Sequence, residues 1–128
     1  MIRSITLGTT GITTPQNAIG CLPLQRVTDD VAVTILRKAF ANGFTFFDTA
    51  RAYSDSEHKL GLAFKGQREK VFIATKTGAK DAEGFWRDLK TSLTNLRTDY
   101  SRGTFLCKII FSGFKSLCII FLVFKYSN

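Results

Sequence analysis

The spacing of apolar positions changes period several times between residues 2 and 97, and each change marks an element. Ile5 and Leu7 lead into Gly8-Thr-Thr-Gly11, then Ile12, with Pro15 closing the unit, which predicts a hairpin over residues 2–14. A short strand follows around Ala18-Ile19-Gly20. Thr28 is placed to cap a helix, with Asp29 and Asp30 in its first turn, where the helix dipole favours acids. Val31, Ile35, Leu36, Ala39 and Phe40 then fall on one face, and Asn42-Gly43 ends the helix. Phe44–Phe47 reads as a second strand. Ser54 or Ser56 can cap the next helix, with Leu60, Ala63 and Phe64 inward. Val71–Thr75 is an apolar run of strand length, followed at once by Lys76. Phe85, Leu89, Leu93 and Leu96 mark one face of a third helix, with Trp86 beside it as a packing residue. The order hairpin, β, α, β, α, β, α is the alternation of a parallel sheet covered by helices. Asp48 and Lys76 both close strands at their carboxyl ends, where such folds build their sites.

Asp48 poses the chemical question, because it follows Phe46 and Phe47 directly and burying a lone carboxylate is costly. On the residue alone two readings stay open, a structural cap of the next turn or one member of a site. Tyr53 lies five residues on, in the following loop, and Lys76 ends the third strand. Adjacent parallel strands run about 5 Å apart, so carboxylate, phenol and ammonium can converge. An ammonium beside a phenol favours the phenolate, and a carboxylate keeps that ammonium charged and oriented. The phenol then becomes an effective proton donor to a carbonyl oxygen that is gaining negative charge.

These residues carry a resemblance to a family. Phe47-Asp48-Thr49-Ala50, Tyr53, Ser56-Glu57 with Leu60-Gly61, and Ala74-Thr75-Lys76 match the pattern of the aldo-keto reductases, as do Leu7-Gly8-x-Thr-Gly11 and Asn42-Gly43-x-x-Phe46-Phe47. The resemblance covers roughly residues 2–100 and is similar to bacterial members. It implies an α/β fold, here a partial (β/α)8 barrel made of an N-terminal hairpin and about three and a half βα units. It also implies NADPH-dependent reduction of small aldehydes or ketones. Tyr53 would supply the proton, with Lys76 and Asp48 as its partners. Gly20 and Cys21 match positions that border the nicotinamide, and Asp48 matches one that touches its ribose. Cys21 otherwise reads as a small apolar filler, and no metal site is expected.

Past Thr98-Asp99-Tyr100 the pattern breaks. The family continues with an apolar strand ending in a histidine, whereas this chain reads Ser-Arg-Gly-Thr-Phe-Leu-Cys-Lys-Ile-Ile-Phe. The one histidine is His58, in the helix after Tyr53. The expected division is therefore 1–100, the N-terminal portion of the barrel, and 101–128, a hydrophobic basic tail foreign to the family. Such a junction fits a reading-frame change or a misjoined gene, and implies a truncated, catalytically incomplete enzyme with weak NADPH binding. The alternative is a non-catalytic protein that self-associates or touches membranes through the half-barrel and tail.

Charge and cysteines narrow the partners. The net charge is +8, but residues 1–100 hold all 10 acids against 14 Lys and Arg, scattered rather than striped, which argues against nucleic acid. Residues 101–128 hold Arg102, Lys108, Lys115 and Lys125 and no acid. Lys108 and Lys115 interrupt the apolar tail, each costing about 2.5–3.5 kcal/mol at the centre of a membrane helix. Leu117–Phe124 is shorter than the ~20 residues needed to span. The tail is thus expected to drive self-association rather than membrane anchoring, with Phe105, Ile109 and Phe111 as a fourth strand and Ile119–Phe124 unpartnered. Cys21, Cys107 and Cys118 form no disulfide or zinc pattern, and Met1-Ile-Arg-Ser-Ile-Thr-Leu-Gly lacks a secretory h-region, so a cytoplasmic setting is expected.

Overall fold

A computed structural model describes residues 2–8, 11–99, 104–111 and 118–125, the last two segments by their backbone alone. The chain opens with an antiparallel hairpin, β1 (Ser4–Thr6) and β2 (Thr13–Pro15), with Ser4 opposite Pro15. Three strands then run parallel, β3 (Ile19–Gly20), β4 (Phe46–Asp48) and β5 (Phe72–Thr77). Helices α1 (Asp29–Ala41) and α2 (Ser56–Ala63) separate them, and α3 (Ala82–Asn95) follows β5. Two further strands, β6 (Thr104–Phe111) and β7 (Cys118–Lys125), complete a five-stranded sheet in the order β3-β4-β5-β7-β6. β7 pairs antiparallel with β5, and β6 pairs antiparallel with β7.

Register assigns the faces of the parallel part. Phe46 sits opposite Phe72 and Asp48 opposite Ala74, so these four share one face, and Lys76 joins them two residues further along β5. On that face Ile12 and Ala74 are buried, with Leu7, Phe46 and Phe72 packed against them, so the hairpin closes the lower end. The other face carries Ile19, Phe47 and Ile73 into the main core, where Leu36, Leu60, Phe64, Leu89, Leu93 and Leu96 meet them from the three helices and their ends. The Phe47 and Phe64 rings lie 4.8 Å apart. Each large apolar side chain buried this fully contributes about 1.5–3 kcal/mol.

Four local expectations change. On α1 the inward residues are Ala32 and Leu36, with Ala39 and Phe40 half-buried, while Val31 and Ile35 are exposed. One residue is about 100° of helix rotation, and packing of α1 on α2 selects the stripe at 32, 36, 39 and 40. Thr28 holds the N-cap position of α1 but makes no side-chain capping bond, and Asp55 rather than Ser54 or Ser56 occupies that position in α2. Lys76 lies inside β5 as its penultimate residue rather than just past the strand. In the tail, the strand beside β5 is Cys118–Lys125, which pairs Ile120 with Thr77 and Phe124 with Ile73, whereas the segment containing Phe105, Ile109 and Phe111 lies outside it. Gly43 does end α1 as expected, at φ 89°, a conformation that a side chain would strain.

Candidate functional site

The site forms where β3, β4 and β5 end. Asp48 is the last residue of β4, opposite Gly20 on one side and Ala74 on the other. Lys76 extends one residue pair beyond, and its Nζ donates to both carboxylate oxygens of Asp48, at 2.7 and 2.6 Å, and to the carbonyl of Thr49 at 2.9 Å. The same ammonium lies over the Tyr53 ring, 5.5 Å from its centroid, within cation–π range. The structure thus brings Asp48, Tyr53 and Lys76 together. Asp48 is about one-third exposed and Lys76 somewhat less, so the pair is reachable from solvent.

Backbone bonds fix this arrangement. The Cys21 amide donates to the Asp48 carbonyl at 2.8 Å, the Thr49 amide to Ala74 at 2.7 Å, and the Arg51 amide to Lys76 at 2.9 Å. The loop after β4 therefore runs on beside β5 for three residues beyond the strand. Tyr53 is held in a tight turn, with its amide on Ala50 and its carbonyl accepting from Ser56, and Ser54 sits at φ 48°. A non-glycine residue there costs energy that the surrounding bonds must offset.

Gly20 and Cys21 diverge. A Cβ built on Gly20 would meet nothing within 4 Å, so the end of β3 presents open space. Cys21 is fully buried in the main core beside Leu24 and Ala32, and burial, then the Asp48 charge, pushes its thiol up to about 12. Its amide and carbonyl are also engaged, the carbonyl by the Ser56 hydroxyl at 3.0 Å. His58 lies on α2 and faces Asp29 at 3.8 Å, away from the triad's bonds. Trp86 is largely exposed, stacks edge-on to Phe85, and lines a groove of about 480 Å³ with Lys90, Leu93, Thr94, Thr98 and Asp99 on the outside of α3. Among the described residues no group of three or more His, Cys, Asp or Glu could hold a metal, and no helix is long and apolar enough to cross a membrane.

A buried polar layer behind the site was not expected from the sequence. Glu57 is fully buried, pairs with Arg51, and accepts from Thr75 and Ser92 at 2.7 Å each. Two residues on, Lys59 donates to the carbonyls of Leu24 and Val27, at 2.9 and 2.7 Å, and to Asp55 at 2.7 Å, which lowers the Asp55 pKa below the usual carboxylate value. The usable signal lay in the spacing. Ser56, Glu57 and Lys59 sit one turn before Leu60, Gly61 and Ala63, and an inward face that carries polar residues in its first turn has partners to find.

Parallel strands with covering helices, a hairpin across one end and a carboxylate–lysine–tyrosine cluster at the other define part of an α/β barrel with a strand-end site. The chain belongs to the aldo/keto reductase family, whose model matches residues 4–109. It is 31% identical over 113 residues to the uncharacterized oxidoreductase YqkF of Bacillus subtilis, covering 77% of this chain and 37% of that one. It is 35% identical over 80 residues to the methylglyoxal reductase DkgB of Escherichia coli O157:H7, covering 59% of this chain and 30% of that one. Among solved structures, aldo-keto reductase AKR11C1 from Bacillus halodurans, in holo form, superposes with a TM-score of 0.70 at 27% identity, over 78% of this chain and 38% of that one. The chain thus spans between about a sixth and two-fifths of the length of the curated relatives it matches.

Proposed function

We propose that this chain carries the proton-donating part of a carbonyl-reducing site, acting on small aldehydes or ketones with NADPH as reductant. The observation that carries the reading is the contact of one ammonium, Lys76, with the Asp48 carboxylate and the Tyr53 ring. Lys76 places positive charge beside the ring whose oxygen turns negative as its proton leaves for the substrate oxygen. Asp48 balances that charge and, through two hydrogen bonds, fixes where the ammonium points. The residues present fit one end of a nicotinamide nucleotide: Gly20 leaves room for a flat ring, and Asp48 offers carboxylate oxygens to a ribose hydroxyl. That group would supply the hydride, which no residue of this chain can provide. Cys21, sealed in the core, would border it without touching it through sulfur.

Within this reading residues 1–100 are the barrel portion, residues 101–128 are a hydrophobic basic tail, and the chain is catalytically incomplete. No histidine stands with Asp48, Tyr53 and Lys76, since the single one is His58 on α2. Self-association belongs to the same reading, because β3 and β6 are the outer strands of the sheet and strand edges invite pairing. Light scattering that returns a monomer mass at micromolar concentration would remove that part. The catalytic part is tested by placing the segment of this chain that carries Asp48, Tyr53 and Lys76 into DkgB in place of its counterpart. The hybrid should reduce methylglyoxal, and Tyr53→Phe should lower its kcat by about 10²–10⁴-fold, the range for a lost general acid. An active hybrid that tolerates Tyr53→Phe would overturn the assignment.

A further inference from the structure

Glu57 is a fully buried carboxylate that takes no part in the chemistry above. Its Oε1 accepts from the hydroxyls of Thr75 and Ser92, and its Oε2 pairs with Arg51 and accepts from Asn95 Nδ2 at 3.3 Å. Burying an ion this deeply costs several kcal/mol unless its lone pairs are filled and its charge matched, and here both conditions are met. The partners come from three places: the loop after β4 (Arg51), β5 (Thr75) and α3 (Ser92, Asn95). Two of them flank Lys76. Thr75 is its neighbour in β5, and the Arg51 amide donates to the Lys76 carbonyl at 2.9 Å.

We propose that Glu57 is a positioning residue for the Asp48–Lys76 pair, clamping the loop after β4 onto β5 by holding Arg51 and Thr75 at once. Backbone bonds from Thr49 to Ala74 and from Arg51 to Lys76 zip the two segments together, and the Glu57 carboxylate joins their side chains from behind. Lys76 Nζ bonds the Thr49 carbonyl within this zipped stretch, so loosening the clamp frees the ammonium before it disturbs the core. What Lys76 does once held rests on the function proposed above; where it is held does not.

The test is residue-resolved acylation of the full chain with limiting acetic anhydride, read by mass spectrometry beside a circular-dichroism melt. Glu57→Gln keeps the shape and an oxygen for Thr75 and Ser92 but removes the charge that matches Arg51. Acylation of Lys76 should rise about fivefold as the local segment opens more often. Lys59, on the same helix but tied to Leu24 and Val27 by its own bonds, should stay within about twofold. A purely structural role would release both lysines together, so a joint rise, or no rise at Lys76, overturns the proposal. Thr75→Val, which removes a single donor without changing shape, should give the same pattern and serves if Glu57→Gln does not fold. The labelling reads position alone, so it would stand even if the hybrid enzyme showed that Tyr53 and Lys76 play no part in reduction.

Discussion

Replacing Gly61 by alanine sets two effects against each other at the junction of α2 and α3. Inside a helix the change should stabilise by about 0.8–1 kcal/mol, because alanine loses less backbone freedom on folding. Here, however, a Cβ at Gly61 would lie 2.1 Å from the Asn95 carbonyl oxygen, with the Leu96 and Asn95 carbonyl carbons at 3.1 and 3.2 Å. Carbon–oxygen contacts in proteins close to about 3.3 Å, so the helices must separate by about 1 Å. The clash is with backbone, which has no rotamer to escape into, and Leu96 beside it is fully buried. Overpacking of this kind costs about 1–3 kcal/mol, and a backbone clash belongs at the upper end. Net of the propensity gain, Gly61→Ala should destabilise by about 2 kcal/mol, which lowers the melting temperature by roughly 8 °C for a domain of this size. Thermal melts followed by far-ultraviolet circular dichroism measure this directly. A variant as stable as the parent, or more so, would refute the close approach, and with it the placement of Asn95 against Glu57.

Two other outcomes follow from burial. Leu36→Ala should cost about 2–5 kcal/mol, whereas Ile35→Gln should stay within about 0.5 kcal/mol; equal costs in urea denaturation would restore the sequence-based helix face. Burial, with the Asp48 charge adding to it, raises the Cys21 thiol from 9.0 to about 12 in the folded protein. Between those values the unfolded chain gives up a proton that the folded one keeps, so stability, complete below pH 9, falls as pH rises toward 12. Cys21→Ala should flatten the urea midpoint over that window, and an unchanged slope would contradict the assignment.

Much of the architecture is written in short-range pattern. The alternation of strand and helix, the Gly43 stop and the convergence of Asp48, Tyr53 and Lys76 all follow from spacing, because neighbouring strand ends in a parallel sheet lie side by side. Features that depend on packing were less legible. Val31 and Ile35 continue an apolar run, and only the contact of α1 with α2 decides that Ala32 and Leu36 face inward instead. Alternation along Val71–Thr75 puts Phe72 and Ile73 on opposite faces, and only the pairing of Phe46 with Phe72 decides which of them turns toward Ile12 and Ala74. The pairing of β7 with β5 was also hidden, since two apolar runs of similar composition give no local reason to prefer one as neighbour. The Glu57 layer escaped for a related reason: the spacing on α2 hints that Glu57 faces inward, but its partners lie up to 38 residues away and no local pattern names them.

The most direct test of the proton-relay site is a double-mutant cycle on kcat/KM for methylglyoxal reduction by the hybrid enzyme, using Tyr53→Phe, Lys76→Met and both together. If Lys76 acts through Tyr53, the double variant should be no slower than the slower single variant, since groups that act as a unit are lost only once. Losses that multiply would show that the two residues act independently and would contradict the account.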